Sequence, residues 1–350
     1  MVIVFRMIKV GHLMRPQDVR RPRHMVHLAE DSRGYPIIPT IGRGETHADF
    51  GSINERRKLA LATFDWCSVC GLPFNGESRW QVAPGEDWKD RQFEGAWLCN
   101  EAPAHEICLI YAAHVCPHLS SPGHRLGDEY RHGQQREGKI NLVGFRRTTD
   151  VLALQSGLQD DLHVLHFKQS ELVGEVSYSQ PEELADRYAS LLKAEVVPVL
   201  SEAETGLIGL FNELSDMGDT VAGAALMAGG IFLPNIRKVQ GMEIFLESAL
   251  YQSLALHFLD LQKLAHFAEG NEDPASRFVS AWVLERHNQL PGVLANWRHA
   301  GVKIAKAHGL TPSRTGAKGS RRTVSKNVPC PCGSGRKAGR CHPSGLPSER

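Results

Sequence analysis

Long hydrophobic runs, a strong net charge and abundant aromatic residues are all missing from this 350-residue sequence, and each shortage removes a class of function. The longest internal apolar run, Val221 to Leu233, is 13 residues between Asp219 and Arg237, too short to cross a bilayer. Met1 to Phe5 is apolar, but Arg6 and Lys9 follow with no long apolar region and no small-residue cleavage site, so no export signal is expected. Neither a Gly-x-Ser-x-Gly elbow nor a complete Walker loop occurs. Gly333-Ser334-Gly335-Arg336-Lys337 imitates a phosphate-cradling turn, but no strand precedes it and the flanking cysteines account for its glycines. The net charge of +1 hides an asymmetry: from Thr311 onward nine Lys or Arg face one acid, which leaves the first 310 residues at about −7.

What is present in quantity is an ordinary apolar fraction, 42%, enough to bury a core in two or three units, and eight cysteines. The cysteines fall in two clusters with histidines at ligand spacing, which suits metal binding in a reducing cytoplasm better than a disulfide scaffold. The second cluster is Pro329-Cys330-Pro331-Cys332-Gly333-Ser334-Gly335 followed by Arg336-Lys337-Ala338-Gly339-Arg340-Cys341-His342. Cys330, Cys332, Cys341 and His342 supply three thiolates and one imidazole, the donor set of a closed tetrahedral zinc site. So short a segment buries no core of its own, and a metal would have to hold its shape.

This stretch closely resembles the SEC-C motif at the end of SecA-type translocation ATPases and of many otherwise unrelated bacterial proteins. The resemblance implies a zinc hook that contacts protein partners, among them the SecB chaperone, and ribosomes. Ala338 and Gly339 stand where the translocase form usually has an aromatic residue in its basic run, and Pro343 replaces the glycine after the histidine. These departures spare the metal ligands and weaken the expectation of the chaperone contact.

The first cluster begins with Cys67-Ser68-Val69-Cys70-Gly71, the form of a zinc knuckle: two thiolates on a tight turn, then a glycine where the backbone bends back. The run from Pro103 through Val115 reads as a helix that places His105 and Cys108 on one face of its first turn. Cys67, Cys70, His105 and Cys108 are the expected ligands of a treble-clef-like finger, with Cys99 as an alternative fourth, and Cys116 is expected to be a buried thiol at the helix end. Arg33-Gly34-Tyr35-Pro36-Ile37, the knuckle, and Ala104 to Cys108 leading to Tyr111 through Leu119 are similar to a group of uncharacterised bacterial and phage-encoded zinc-finger proteins. That likeness covers about Gly34 to Lys193 and implies no activity.

The expected class is α+β: a small treble-clef-like zinc domain with a small sheet, then a helical bundle and a short zinc hook. Residues 1–24 are expected to be disordered or upstream of the true start, 25–196 to form the zinc domain, 197–310 the bundle, 311–327 a basic flexible linker and 328–345 the hook. Asp49 to Ser52 reads as a turn before a helix over Asn54 to Phe64. Alternation predicts three strands, Ile140 to Arg146, Leu162 to Lys168 and Leu172 to Tyr178. Capping boxes are expected at Ser179 to Glu182 and Ser201 to Glu204. One long amphipathic helix is expected over Asn235 to Glu269, with cap-then-proline at Asp273-Pro274 opening the next and a last helix to His308.

Four protein ligands around each zinc leave no position for an activated water, so the sequence points to a cytoplasmic adaptor with two zinc ions per chain, docking through its hook on a protein or ribosome. Nucleic-acid binding is the alternative. Arg314, Lys318, Arg321, Arg322, Lys326, Arg336, Lys337 and Arg340 could screen phosphates, and the lack of interleaved aromatics makes any such binding sequence-independent. A finger-type nuclease is less favoured, since no Asp-His pair precedes the finger helix. His114 or His118 would have to serve as its base.

Overall fold

The computed structural model describes residues 15–43, 48–84, 87–90, 92–93, 95–120, 139–155, 163–212, 238–239 and 259–307. Its strands are β1 (Ile41–Arg43), β2 (Ala48–Ile53), β3 (Arg79–Pro84), β4 (Gln92–Phe93), β5 (Ala96–Cys99), β6 (Ile140–Gln155) and β7 (His163–Tyr178). Its α-helices are α1 (Glu55–Phe64), α2 (Glu106–Val115), α3 (Pro117–Ser120), α4 (Ala185–Ala194), α5 (Glu202–Asn212), α6 (Leu261–Gly270), α7 (Pro274–Glu285) and α8 (Gly292–Ala307). The architecture is mixed: helices packed around a small antiparallel sheet of order β3-β6-β7-β5-β4, with β1 and β2 as a separate antiparallel pair.

The 16-residue strands β6 and β7 form the spine of the sheet, registered from Ile140 opposite Tyr178 to Gln155 opposite His163. The first half of β6 is buried on both faces. Leu142 joins the main core, while Val143 and Phe145 pack under Trp88 with Trp97 beside them. Trp80 of β3 lies across a pair of facing glycines. A Cβ on Gly144 would come within 2.7 Å of its indole, and one on Gly174 within 3.2 Å. The Arg187 guanidinium sits 5.4 Å from the ring centroid. Gly144→Ala should therefore overpack the sheet and cost about 1–3 kcal/mol. A urea midpoint equal to wild type would show that the indole has room to move.

Three expected strands are two. The alternation breaks at Glu171, which takes a left-handed backbone (φ 48°) and accepts from Arg146 Nε at 2.6 Å, while the register itself shifts nearby, between Gly144 and Phe145 and between Thr148 and Asp150. Pairing resumes on either side, with Arg147 opposite Ser170 and Phe145 opposite Leu172. Asp49 to Ser52, expected as a turn, belongs to β2, and α1 starts one residue later with the Asn54 side chain accepting from Arg57 N–H. The capping box before α4 is shifted by one residue: Gln180 is the N-cap and Glu183 its partner, because Pro181 then falls at the first helical position. At Ser201 the expected box forms, with Ser201 Oγ accepting from Glu204 N–H at 3.2 Å and Glu204 Oε2 from Ser201 N–H at 2.9 Å. Asp273 caps α7 ahead of Pro274 as expected. Asn235 to Glu269 is not one unbroken helix: Asp260 takes extended backbone and caps a new helix at Leu261, accepting from Gln262 N–H at 2.9 Å. Most of the stretch before Leu259 lies outside the described residues.

Against the expectation for residues 1–24, residues 15–24 are packed: Val19 and His24 are buried, and Tyr188 Oη donates to the Arg20 carbonyl at 2.5 Å. The main core also continues past residue 196. Trp282 of α7 meets Phe64 at 5.0 Å and Trp66 at 6.4 Å between ring centroids, and Phe211 of α5 joins from the side. Arg286 packs over Trp282 at 5.1 Å while its guanidinium pairs with Glu204 of α5 at 2.6 Å. Helix α8 covers the far half of the hairpin, where Val293 and Trp297 pack with Val151, Ala153 and Phe167.

Candidate metal centre

The end of α1 sets the knuckle. Asp65 turns left-handed (φ 60°, ψ 50°) and reverses the chain. Its carboxylate is gripped by Arg79 of β3, whose Nε donates to Oδ1 at 2.9 Å and whose guanidinium covers Phe74 at 4.9 Å. The knuckle closes as a small loop, with Cys67 N–H donating to Leu72 O at 2.9 Å and Gly71 N–H to Cys67 O at 2.8 Å. Gly71 has φ +73°, and a Cβ there would meet Pro39 at 2.9 Å, so the glycine is required twice over. Ser68 ties the loop to the entrance of α2, donating from N–H to Pro103 O at 2.9 Å and from Oγ to Ala102 O at 3.0 Å.

Those ties bring the knuckle against the first turn of α2, where His105 is the N-cap residue and Cys108 follows within the helix. Cys67, Cys70, His105 and Cys108 are all buried, and one donor atom from each lies within 4.8 Å of every other. His105 Nδ1 is 3.3 Å from Cys70 Sγ and 3.9 Å from Cys108 Sγ. A tetrahedral zinc with ordinary bond lengths holds its ligand atoms about 3.5–3.8 Å apart, so the donor set and its spacing fit the ion. Cys67 Sγ also accepts three backbone N–H groups, from Val69 and Cys70 at 3.4 Å and from His105 at 3.3 Å. Such donors favour a thiolate over a thiol.

The electrostatics without metal are those of a shared charge. Burial works against the Cys67 thiolate, but hydrogen bonds from the Cys108 and Cys70 thiols and the nearby His105 outweigh it and hold its pKa well below the usual thiol range. Burial pushes the Cys70 thiol up to about 11, and burial with bonds to Cys67 and Cys70 raises Cys108 well above normal. Burial disfavours the His105 imidazolium, yet the charge on Cys67 and then Cys70 raises it well above the normal value. The cluster thus favours charge on Cys67 and holds protons on its neighbours, and a metal binding there must displace them.

Zinc affinity should consequently rise with pH as protons are released on binding. Calorimetry in buffers of different ionisation enthalpy counts them, and a finding of no proton release would contradict this ligand set.

Cys99, the expected alternative ligand, is not in the cluster. It stands on β5 opposite Phe167, with its side chain toward Trp88 and Phe145. Cys116 caps the end of α2 half-buried, not fully buried as expected. His114 is a packing residue: Nδ1 lies 2.8 Å from Ile110 O, its ring stacks on Tyr188 at 5.4 Å, and burial depresses its pKa. The His118 side chain lies outside the described residues. So do Cys330, Cys332, Cys341 and His342, and the basic residues Arg314, Lys318, Arg321, Arg322, Lys326, Arg336, Lys337 and Arg340. Two neighbours of the cluster carry no sequence signal. His24 packs against His105 with the rings tilted by 49° and their centroids 4.8 Å apart, and Glu195 bonds His24 Nδ1 at 2.7 Å across 171 residues.

The described site thus defines the chain as one with a buried Cys3His cluster suited to zinc. The family model of the SEC-C motif matches residues 327–342, the segment holding Cys330, Cys332, Cys341 and His342. No curated protein and no solved structure matches the chain. No helix among the described residues is long and apolar enough to cross a membrane.

Proposed function

We propose that the chain is a cytoplasmic zinc-binding interaction protein. Zinc at Cys67, Cys70, His105 and Cys108 would fix a treble-clef-like finger, and a second zinc at Cys330, Cys332, Cys341 and His342 would shape a hook for a protein or ribonucleoprotein partner. The carrying observation is the convergence of four buried donors, three sulfur and one nitrogen, with three backbone N–H groups on one of the sulfurs. Four protein donors complete a tetrahedral shell, which gives the metal a shaping role. For the hook the support is the SEC-C match, with its ligand residues intact in this sequence.

Native mass spectrometry with elemental analysis tests the reading. Two zinc ions per chain are expected, one lost when Cys67 and Cys70 become serine and the other when Cys330 and Cys332 do. A pull-down with wild-type bait should lose its partner in the Cys330, Cys332 double variant alone. Metal-free protein would defeat the zinc assignment. A hook variant that keeps every partner would defeat the docking role. Salt-sensitive binding to short oligonucleotides that persists without the hook zinc would favour nucleic acid as the target instead.

A further inference from the structure

His105 meets the three sulfurs with Nδ1, so a metal on that nitrogen leaves the proton on Nε2. Nε2 is buried and has no hydrogen-bond partner. A metal-bound imidazole normally hands this proton to an acceptor that orients the ring and makes it a better ligand. The neighbouring ring is His24, 2% exposed, whose Nε2 is likewise buried and unpartnered. Its other nitrogen is committed. Glu195 Oε1 lies 2.7 Å from His24 Nδ1 and accepts from His24 backbone N–H at 2.9 Å.

Burial raises the Glu195 pKa, but the bonds from His24 outweigh it and hold the group below the usual range, so the carboxylate is ionised and can only accept. The bond to Glu195 places a proton on His24 Nδ1, and in the neutral ring Nε2 then carries the lone pair. One orphan is a donor, the other an acceptor. One donor atom each from His24, His105 and the exposed Glu77 lies within 4.8 Å of the others, a separation that one bridging water spans.

We propose that His24, aimed by Glu195, is the positioning residue for the metal ligand His105, forming a chain from the Glu195 carboxylate through both imidazoles to the metal. This rests on the assignment of zinc to the Cys67 cluster. It adds that zinc affinity depends on a segment far from the finger in sequence. The segment is held where it is needed: Arg23 donates to the Glu195 carbonyl, and Tyr188 of α4 holds Arg20.

The test uses the full chain and chelator competition for zinc. His24→Leu keeps the volume, removes both nitrogens and should weaken binding about 10- to 100-fold. His24→Gln can still donate to Glu195 and accept from His105, and should recover most of the loss, which a purely space-filling role does not predict. In zinc-loaded wild type the His105 Nε2–H should appear by NMR as a slowly exchanging imidazole proton, and it should vanish in His24→Leu. Wild type that binds no zinc at the Cys67 cluster would remove the site reading and this chain together. Zinc-loaded wild type with unchanged affinity in His24→Leu would overturn the proposal alone. So would a second metal ion bound by His24, His105 and Glu77 and lost in Glu77→Ala, because Nε2 would then hold metal instead of a proton.

Discussion

Stripping the Cys67 cluster of metal should lower the melting point of the entire described fold, and Cys70→Ser should do the same without a chelator. Cys67, Cys70 and Cys108 are fully buried and belong to the main core together with Trp66, Phe74 and Trp80. A surface finger could unravel alone, but here the loop shares its packing with α1, α2 and β3. Structural zinc contributes about 10–16 kcal/mol in small finger peptides, while a whole domain is stable by about 5–15 kcal/mol. Losing even half of the smaller figure costs about 5 kcal/mol, or roughly 5–10 °C for a chain of this size. Differential scanning calorimetry with and without chelator measures the change. A transition unmoved by complete metal removal would mean that the thiols are packing residues and nothing more.

The second large effect is expected at Trp282→Ala. Its indole is 1% exposed and forms the joint between α7, the end of α1 and Trp66 beside the knuckle, with edge contacts to Phe64 and Trp66 and the Arg286 guanidinium over its face. Truncation should cost about 3–5 kcal/mol and release the Arg286–Glu204 tie that depends on the same surface. Trp282→Phe should cost under half as much. Trp282 Nε1 is buried without a partner, so phenylalanine removes an unsatisfied donor as well as volume. Equal losses for alanine and phenylalanine in urea unfolding would show that the indole nitrogen has a partner in solution.

How much of this was legible in the sequence depended on whether the information was local. Cys67-Ser68-Val69-Cys70-Gly71 announces its turn because the spacing of its thiols and the glycine that follows are set within a few residues. Asn54, Ser201 and Asp273 announce helix starts for the same reason: a cap bonds to backbone two or three positions away. The long hairpin was half legible, since alternation marks each strand but the left-handed backbone at Glu171 and the register shift between Gly144 and Phe145 break the count. Gln180 displaced Ser179 as the cap because a proline's place in the first turn outranks the slightly better capping side chain.

What stayed hidden is long-range. Nothing near His24 marks it as a neighbour of His105, and nothing near Glu195 marks it as the partner of His24. The grip of Arg79 on Asp65 likewise appears only once β3 is laid against the knuckle. Short strands such as β1 and β4 are fixed by their partners and have too few residues for a pattern of their own.

The bond between His24 and Glu195 also bears on the order in which the protein takes shape as it is made. All four residues of the cluster are made once the growing chain passes Cys108, well before Glu195 is added. The carboxylate that fastens His24 arrives only with Glu195. His24 is therefore made before the cluster but fastened only after it, and a nascent chain stalled between those two points would hold its four cluster residues with His24 still untied.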